Sequence, residues 1–180
     1  MAGEYMQSIK VVMILCSCFF AYGTYWSNWA FDYYFLWADL SEHPNAVARA
    51  TQYYITQMDA PDILKYIPFA NLMIAAFGFA AGLATWTDGN ILFDGAALVL
   101  MLFALSTYAT SVRPAMVAIK ELDSDNVKEL TSNLKNIAAA HFIIVLAITG
   151  IIGLEITHYV LTKREERAER AAAMEAKKTK

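Results

Sequence analysis

The 180-residue chain is 58% hydrophobic and 17% charged, with a mean hydropathy of +0.38 and a formal net charge of -3. That is one domain's worth of sequence, and its apolar balance is high for a soluble domain. With no basic excess, nucleic-acid motif or internal repeat it is not expected to bind nucleic acid, and Cys16 and Cys18, both inside an apolar run, form no disulfide framework.

A helix needs roughly 20 apolar residues to cross a bilayer core. Four stretches qualify, at about 9–26, 67–86, 91–112 and 137–161. The expected fold is therefore all-α, a polytopic membrane domain of four transmembrane helices over 1–162 followed by a charged tail, 163–180. A soluble four-helix bundle would need polar outer faces, and the runs VVMILCSCFFAYG and AALVLMLFALSTYA have none.

The first span is long for the apolar core of a cleaved signal peptide, and it runs straight into the aromatic stretch TYWSNWAFDYYFLW. Tyr25, Trp26 and Trp29 fit an interfacial belt, where a ring keeps one edge apolar and the other hydrated. A belt does not account for the rings that continue to Trp37, nor for Asp32 among them.

Loop one holds a short helix of its own. Pro44-Asn45 can start it and Asp59-Ala60-Pro61 ends it, with Val47, Ala50, Tyr54 and Met58 forming an apolar stripe between. Span two carries Asn71 and the GxxxG of Gly78 and Gly82, small residues that let helices approach closely. Thr87-Asp88-Gly89-Asn90 then makes a turn, so spans two and three form an antiparallel hairpin. Loop three contains a capping-box pattern, Asn126 with Glu129, from which one helix runs on through span four. Gly150 and Gly153 open a second notch there. The tail KREERAERAAAMEAKK is helix-prone, and Glu166 and Arg170 are spaced to pair.

Lysines and arginines crowd the tail, whereas the first loop carries only Arg49 and Lys65. The tail is expected in the cytosol, and with four spans the N-terminus joins it. Loops one and three, with the amphipathic helix, then face the lumen or exterior. Lys177 and Lys178 in KKTK match the pattern of a cytosolic dilysine retrieval signal read by COPI coat proteins.

Ionisable groups within a bilayer mark sites of interest, because an uncompensated charge there is costly. Glu155 and His158 share one face of span four. They form a proton relay or polar docking spot on one reading, and snorkel to the nearby cytosolic surface on the plainer and favoured one. Asp94 lies near the same surface, while Asn71 and His141 lie near the opposite one, placed to bond across helices. Membrane haem needs paired histidines at matching depth, but His141 and His158 are separated by about 25 Å of one helix. No CxxC and no nucleophile–base set is present. No cofactor, metal or enzymatic activity is expected. The small-residue notches suit packing among the spans, or a groove for a client helix, and the chain reads as a binder.

The segment SNWAFDYYFLW after span one resembles the signature of the fungal endoplasmic-reticulum packaging chaperones for amino-acid permeases, the SHR-type family. Ser27, Asn28, Phe31, Asp32, Tyr33 and Leu36 carry the likeness, and it continues through Gln52-Tyr53-Tyr54, LFDGAALVLMLFALSTYATSVRPAM and LKNIAAAHFIIVLAITGIIGLEITHYVL. Ala30 stands where the pattern expects proline, which puts the local turn in doubt. The resemblance implies a non-enzymatic protein of the endoplasmic-reticulum membrane. It would keep newly inserted amino-acid permeases from aggregating and support their export in COPII vesicles. Ser27, Asn28, Phe31, Asp32 and Tyr33 would form the lumenal element that fixes loop one or touches the client. On the alternative reading, Asn28 and Asp32 merely cap local turns. Two other classes stay open: a structural subunit of a larger membrane complex docked through GxxxG, and a small redox or proton-coupled enzyme using Glu155 and His158.

Overall fold

A computed structural model describes residues 2–84, 88–122 and 126–178, and every regular element in them is helical. Six α-helices follow in order: α1 (Ala2–Leu36), α2 (Ala46–Met58), α3 (Asp62–Leu83), α4 (Asp88–Thr107), α5 (Arg113–Glu121) and α6 (Val127–Lys178). Four helices are long and apolar enough to cross a membrane: α1, α3, α6, and α4 with its extension to Glu121.

The four long helices run up and down in the order α3, α1, α6, α4 across the bundle. Contacts fix both the order and the directions. Ser17 Oγ donates to the Asn71 carbonyl (3.3 Å) and Asn71 Nδ2 donates back to the Ser17 carbonyl (3.1 Å), joining α1 to antiparallel α3. The Tyr22 hydroxyl bonds Thr149 between α1 and α6. Leu100 of α4 faces Gly150 of α6. The main core lies along α6, where Leu134, Ile137, Ala138, Ile144, Ala147, Ile148 and Ile151 are buried in the i, i+3, i+4 rhythm that gives a helix one inward face. Outer α3 and α4 leave Phe69, Phe77, Leu102 and Phe103 exposed. Such a surface is stable only against lipid or another apolar helix.

Several boundaries differ from the sequence expectation, each for a local reason. Helix α1 does not end near Trp26 but continues to Leu36, because nothing from Thr24 to Leu36 breaks a helix and Ala30 takes the place of a proline. The aromatic signature is thus helical, not a turn. Helix α3 begins at Asp62 behind Pro61 and passes through Pro68, which stands in its second turn. The expected end of span two at Trp86, and Thr87 of the turn, lie outside the described residues. Asp88 to Asn90 form the first turn of α4 instead. Beyond Thr107 a π-turn (Tyr108–Val112) leads into α5, with Pro114 just inside its start. Proline has no N–H to return to the preceding turn, and a π-turn there absorbs the mismatch. Among the described residues, little of the supposed loop three is therefore irregular.

Two short elements match closely. Helix α2 covers 46–58 and buries Ala46, Ala50 and Tyr54. Asn126 and Glu129 make the reciprocal cap, with Asn126 Nδ2 donating to Glu129 Oε2 (2.6 Å) and the Glu129 N–H to Asn126 Oδ1 (3.4 Å), and α6 runs unbroken for 52 residues. Between α1 and α2, Asp39 caps a 3-10 turn (Leu40–Glu42) by accepting the Ser41 N–H, a bond that holds its carboxyl below the usual range.

Candidate functional site

Apart from Ser17, which pairs with Asn71, the buried polar groups gather into two clusters, one at each end of the bundle. The first joins α1, α2 and α6. Asp32 is 1% exposed and accepts two bonds, from the Tyr54 hydroxyl (2.5 Å, to Oδ1) and from His141 Nδ1 (2.7 Å, to Oδ2). Tyr25 meets the His141 ring edge-on, with centroids 5.2 Å apart. One turn earlier on α1, buried Asn28 accepts at Oδ1 from the Tyr53 hydroxyl (2.8 Å) and from Gln57 Nε2 (3.1 Å). Phe31 stacks on Tyr53 at 4.0 Å. Asn28, Phe31 and Asp32 thus grip the apolar and hydroxyl edge of α2. Tyr54 feels this most: burial, then the nearby Asp32 charge, pushes its phenol above the ordinary range, and burial raises Tyr53 as well.

The five signature residues do not act together. Ser27 bonds its own helix at the Gly23 carbonyl, and Tyr33 lies on the outer face beside Trp37. Asn28 and Asp32 cap no turn, since both sit inside α1 and bond across elements. Within the signature, Asn28, Phe31 and Asp32 form the helix face that seats α2.

The second cluster joins α1, α4 and α6 at the other end. Lys10 Nζ lies 2.9 Å from both oxygens of Asp94, with both side chains buried. His158 Nδ1 is 3.6 Å from Asp94 Oδ1, and Phe93 stacks on its ring with centroids 5.0 Å apart. Glu155 is 0% exposed, so it does not snorkel to the surface as expected. Its position on α6 faces Asp94, and the neighbouring helices close over it before it can reach water. Lys10, at the start of span one, is the counter-charge to Asp94. Its signal was depth: the start of span one, the start of span three and the end of span four fall at one level in an up-and-down bundle.

Gly78 and Gly82 are packed inside the bundle. A Cβ on Gly78 would meet Ile14 Cγ1 at 2.7 Å, and one on Gly82 would meet Asp94 Oδ2 and Lys10 Cδ. The GxxxG face is therefore occupied by α1 and α4 rather than open to a client. Gly150 faces Leu100, and nothing lies within 4 Å of a Cβ placed on Gly153. Lys177 and Lys178 form the last turn of α6.

Asn28, Asp32, His141, Asp94, Glu155 and His158 are each 5% exposed or less. None of these polar groups meets solvent in a cleft where a substrate could reach it, and each cluster bridges helices. The arrangement is that of posts holding the bundle together. Over residues 5–180 the chain matches the model of the SHR3 chaperone family, described as ER membrane protein SH3.

The chain belongs to the SHR3 chaperone family. No curated protein and no solved structure matches it. Membership makes it a membrane chaperone of the endoplasmic reticulum, and a chaperone family points away from an enzyme. The SHR3 match runs from α1 to the end of α6, so both polar clusters and α2 lie within the family's shared region.

Proposed function

We propose that this chain is a packaging chaperone for newly inserted amino-acid permeases, shielding their transmembrane segments until they fold and supporting their export in COPII vesicles. The family match carries the reading. The distribution of polarity supports it. Half-assembled transporters expose intramembrane polar groups and helix interfaces, and an uncompensated charge on their partner would add to the cost of each encounter. Here Lys10, Asp32, Asp94, His141, Glu155 and His158 are turned inward, while α3 and α4 offer rows of exposed aromatic and aliphatic side chains. Helix association in lipid rests on van der Waals packing and weak polar contacts of about 1 kcal/mol, which suits capture followed by release. In this proposal α2 lies on the lumenal surface, both chain ends are cytosolic, and Asn28, Phe31 and Asp32 hold α2 in place.

The test is made in cells depleted of the protein, with and without its restoration, following permeases by fractionation and native gel. Permeases are expected to stay in the endoplasmic reticulum as high-mass aggregates while other cargo leaves normally. Normal delivery of permeases to the cell surface would overturn the proposal and favour a structural subunit of a larger complex.

A further inference from the structure

The cluster around Asp94 has more ligating capacity than its internal bonds use. Asp94 of α4 and Glu155 and His158 of α6 each offer a ligand atom, all within 4.8 Å of one another. The three side chains are 0%, 0% and 4% exposed. Both carboxyl oxygens of Glu155, and Nδ1 of His158, lack a hydrogen-bond partner. A buried acceptor left without a donor is destabilising, and native structures leave few of them unexplained. Glu155 and His158 stand at i and i+3, the Glu-x-x-His spacing with which bundle helices present a carboxylate and an imidazole to a shared metal.

We propose that Asp94, Glu155 and His158 bind a divalent transition-metal ion of the zinc type and so tie α4 to α6. One imidazole nitrogen with two carboxylate oxygens suits zinc better than calcium or magnesium, which require six or more oxygens or retain several waters. Zinc–ligand bonds of about 2.0–2.1 Å place tetrahedral donors roughly 3.4 Å apart, so the donors draw together by at most about 1.4 Å, within reach of side-chain torsion. Two features support the donors from outside. Phe93 lies flat against the His158 ring, with an interplanar angle of 8°, and fixes its orientation. Lys10 holds the Asp94 carboxylate, as outer-shell partners do at metal sites. The ion gives the Glu155 oxygens the bond that no donor in the cluster supplies.

The experiment uses the full chain in detergent, stripped with a chelator and titrated with zinc alone against a zinc-responsive dye. Cobalt serves as a spectroscopic stand-in. One ion per chain is expected, with cobalt ligand-field bands and a zinc-dependent rise in melting temperature. Glu155→Gln and His158→Gln should each weaken binding by more than the roughly 10–100-fold cost of losing an outer-shell partner. Uptake unchanged in both variants would assign the zinc to His43 or the tail and overturn the proposal. So would an absence of uptake together with a protonated-carboxyl infrared band that vanishes in Glu155→Gln, since a proton would then fill the place. If the variants fail to fold, X-ray absorption of the zinc-loaded native chain decides. A nitrogen–oxygen shell with an imidazole signature supports the site, and any other shell refutes it.

Discussion

Asp32 shows how much one side chain can carry when it is sealed from water. Its two oxygens satisfy Tyr54 of α2 and His141 of α6, so its loss orphans two buried groups at once. Each orphan costs about 1–3 kcal/mol, and Asp32→Ala should therefore destabilise the chain several-fold more than an exposed substitution such as Trp26→Ala. Thermal melting in detergent checks this, and hydrogen exchange should show α2 deprotected first. Tyr54→Phe removes only one partner and should cost less, about 1.5–3 kcal/mol for a bond to a charged acceptor. Tyr54 also sets a pH dependence. Its phenol is raised in the folded state above the unfolded value of about 10, so the contribution is fully present below that pH and is lost as pH climbs toward the folded value. Melting temperature measured from pH 8 to 11.5 should fall above about pH 10, and less steeply in Tyr54→Phe. The importance of Asp32 was legible as an oddity among aromatic rings. Its partners were not, because His141 lies 109 positions away and only the fold brings it near.

Among elements, legibility followed the distance over which each signal acts. Helix α2 could be read from its apolar stripe and proline stop, and the start of α6 from a cap spanning three residues. The length of α1 was obscured because its polar residues suggested a loop, whereas Asn28 and Asp32 fall four apart on one helical face that meets α2. Glycine notches were visible, but not what filled them, since a spacing of four names a face and not its neighbour. The structure supplies that neighbour and orders the consequences. Gly82→Ala drives a methyl into the Asp94 carboxylate held by Lys10, and should be the most damaging of the series. Gly78→Ala meets the tip of Ile14, which can turn aside at modest cost. Gly153→Ala enters open space and should be neutral or stabilising by up to about 1 kcal/mol through helix propensity. Melting of the three variants side by side tests the order, and parity of Gly82→Ala with Gly153→Ala would show the packing of α3 against the Lys10–Asp94 pair to be loose.

At the scale of the whole molecule the two polar clusters mark a slab. His141 and His158 are 17 positions apart on α6, about 26 Å along the axis, and the buried stretch between them holds Ile144, Ala147, Ile148 and Ile151. That separation approaches the roughly 30 Å of a bilayer's hydrocarbon core. Ionisable groups placed near the two borders escape the full desolvation cost of the midplane while still binding helices that lipid alone would leave unordered. Apolar length gave the number of spans directly; the layering needed the pairing of α1 with both α3 and α6. The slab makes orientation testable. If the Asp32 cluster borders the lumen, then α2 and the residues before it lie beyond that border, and α6 after Lys163 lies beyond the other. A glycosylation acceptor inserted next to Asn45 should be modified in the endoplasmic reticulum, and one inserted after Arg170 should not. The reverse pattern would invert the orientation drawn from the basic tail and place α2, with its Asp32 clamp, on the side of the vesicle coat.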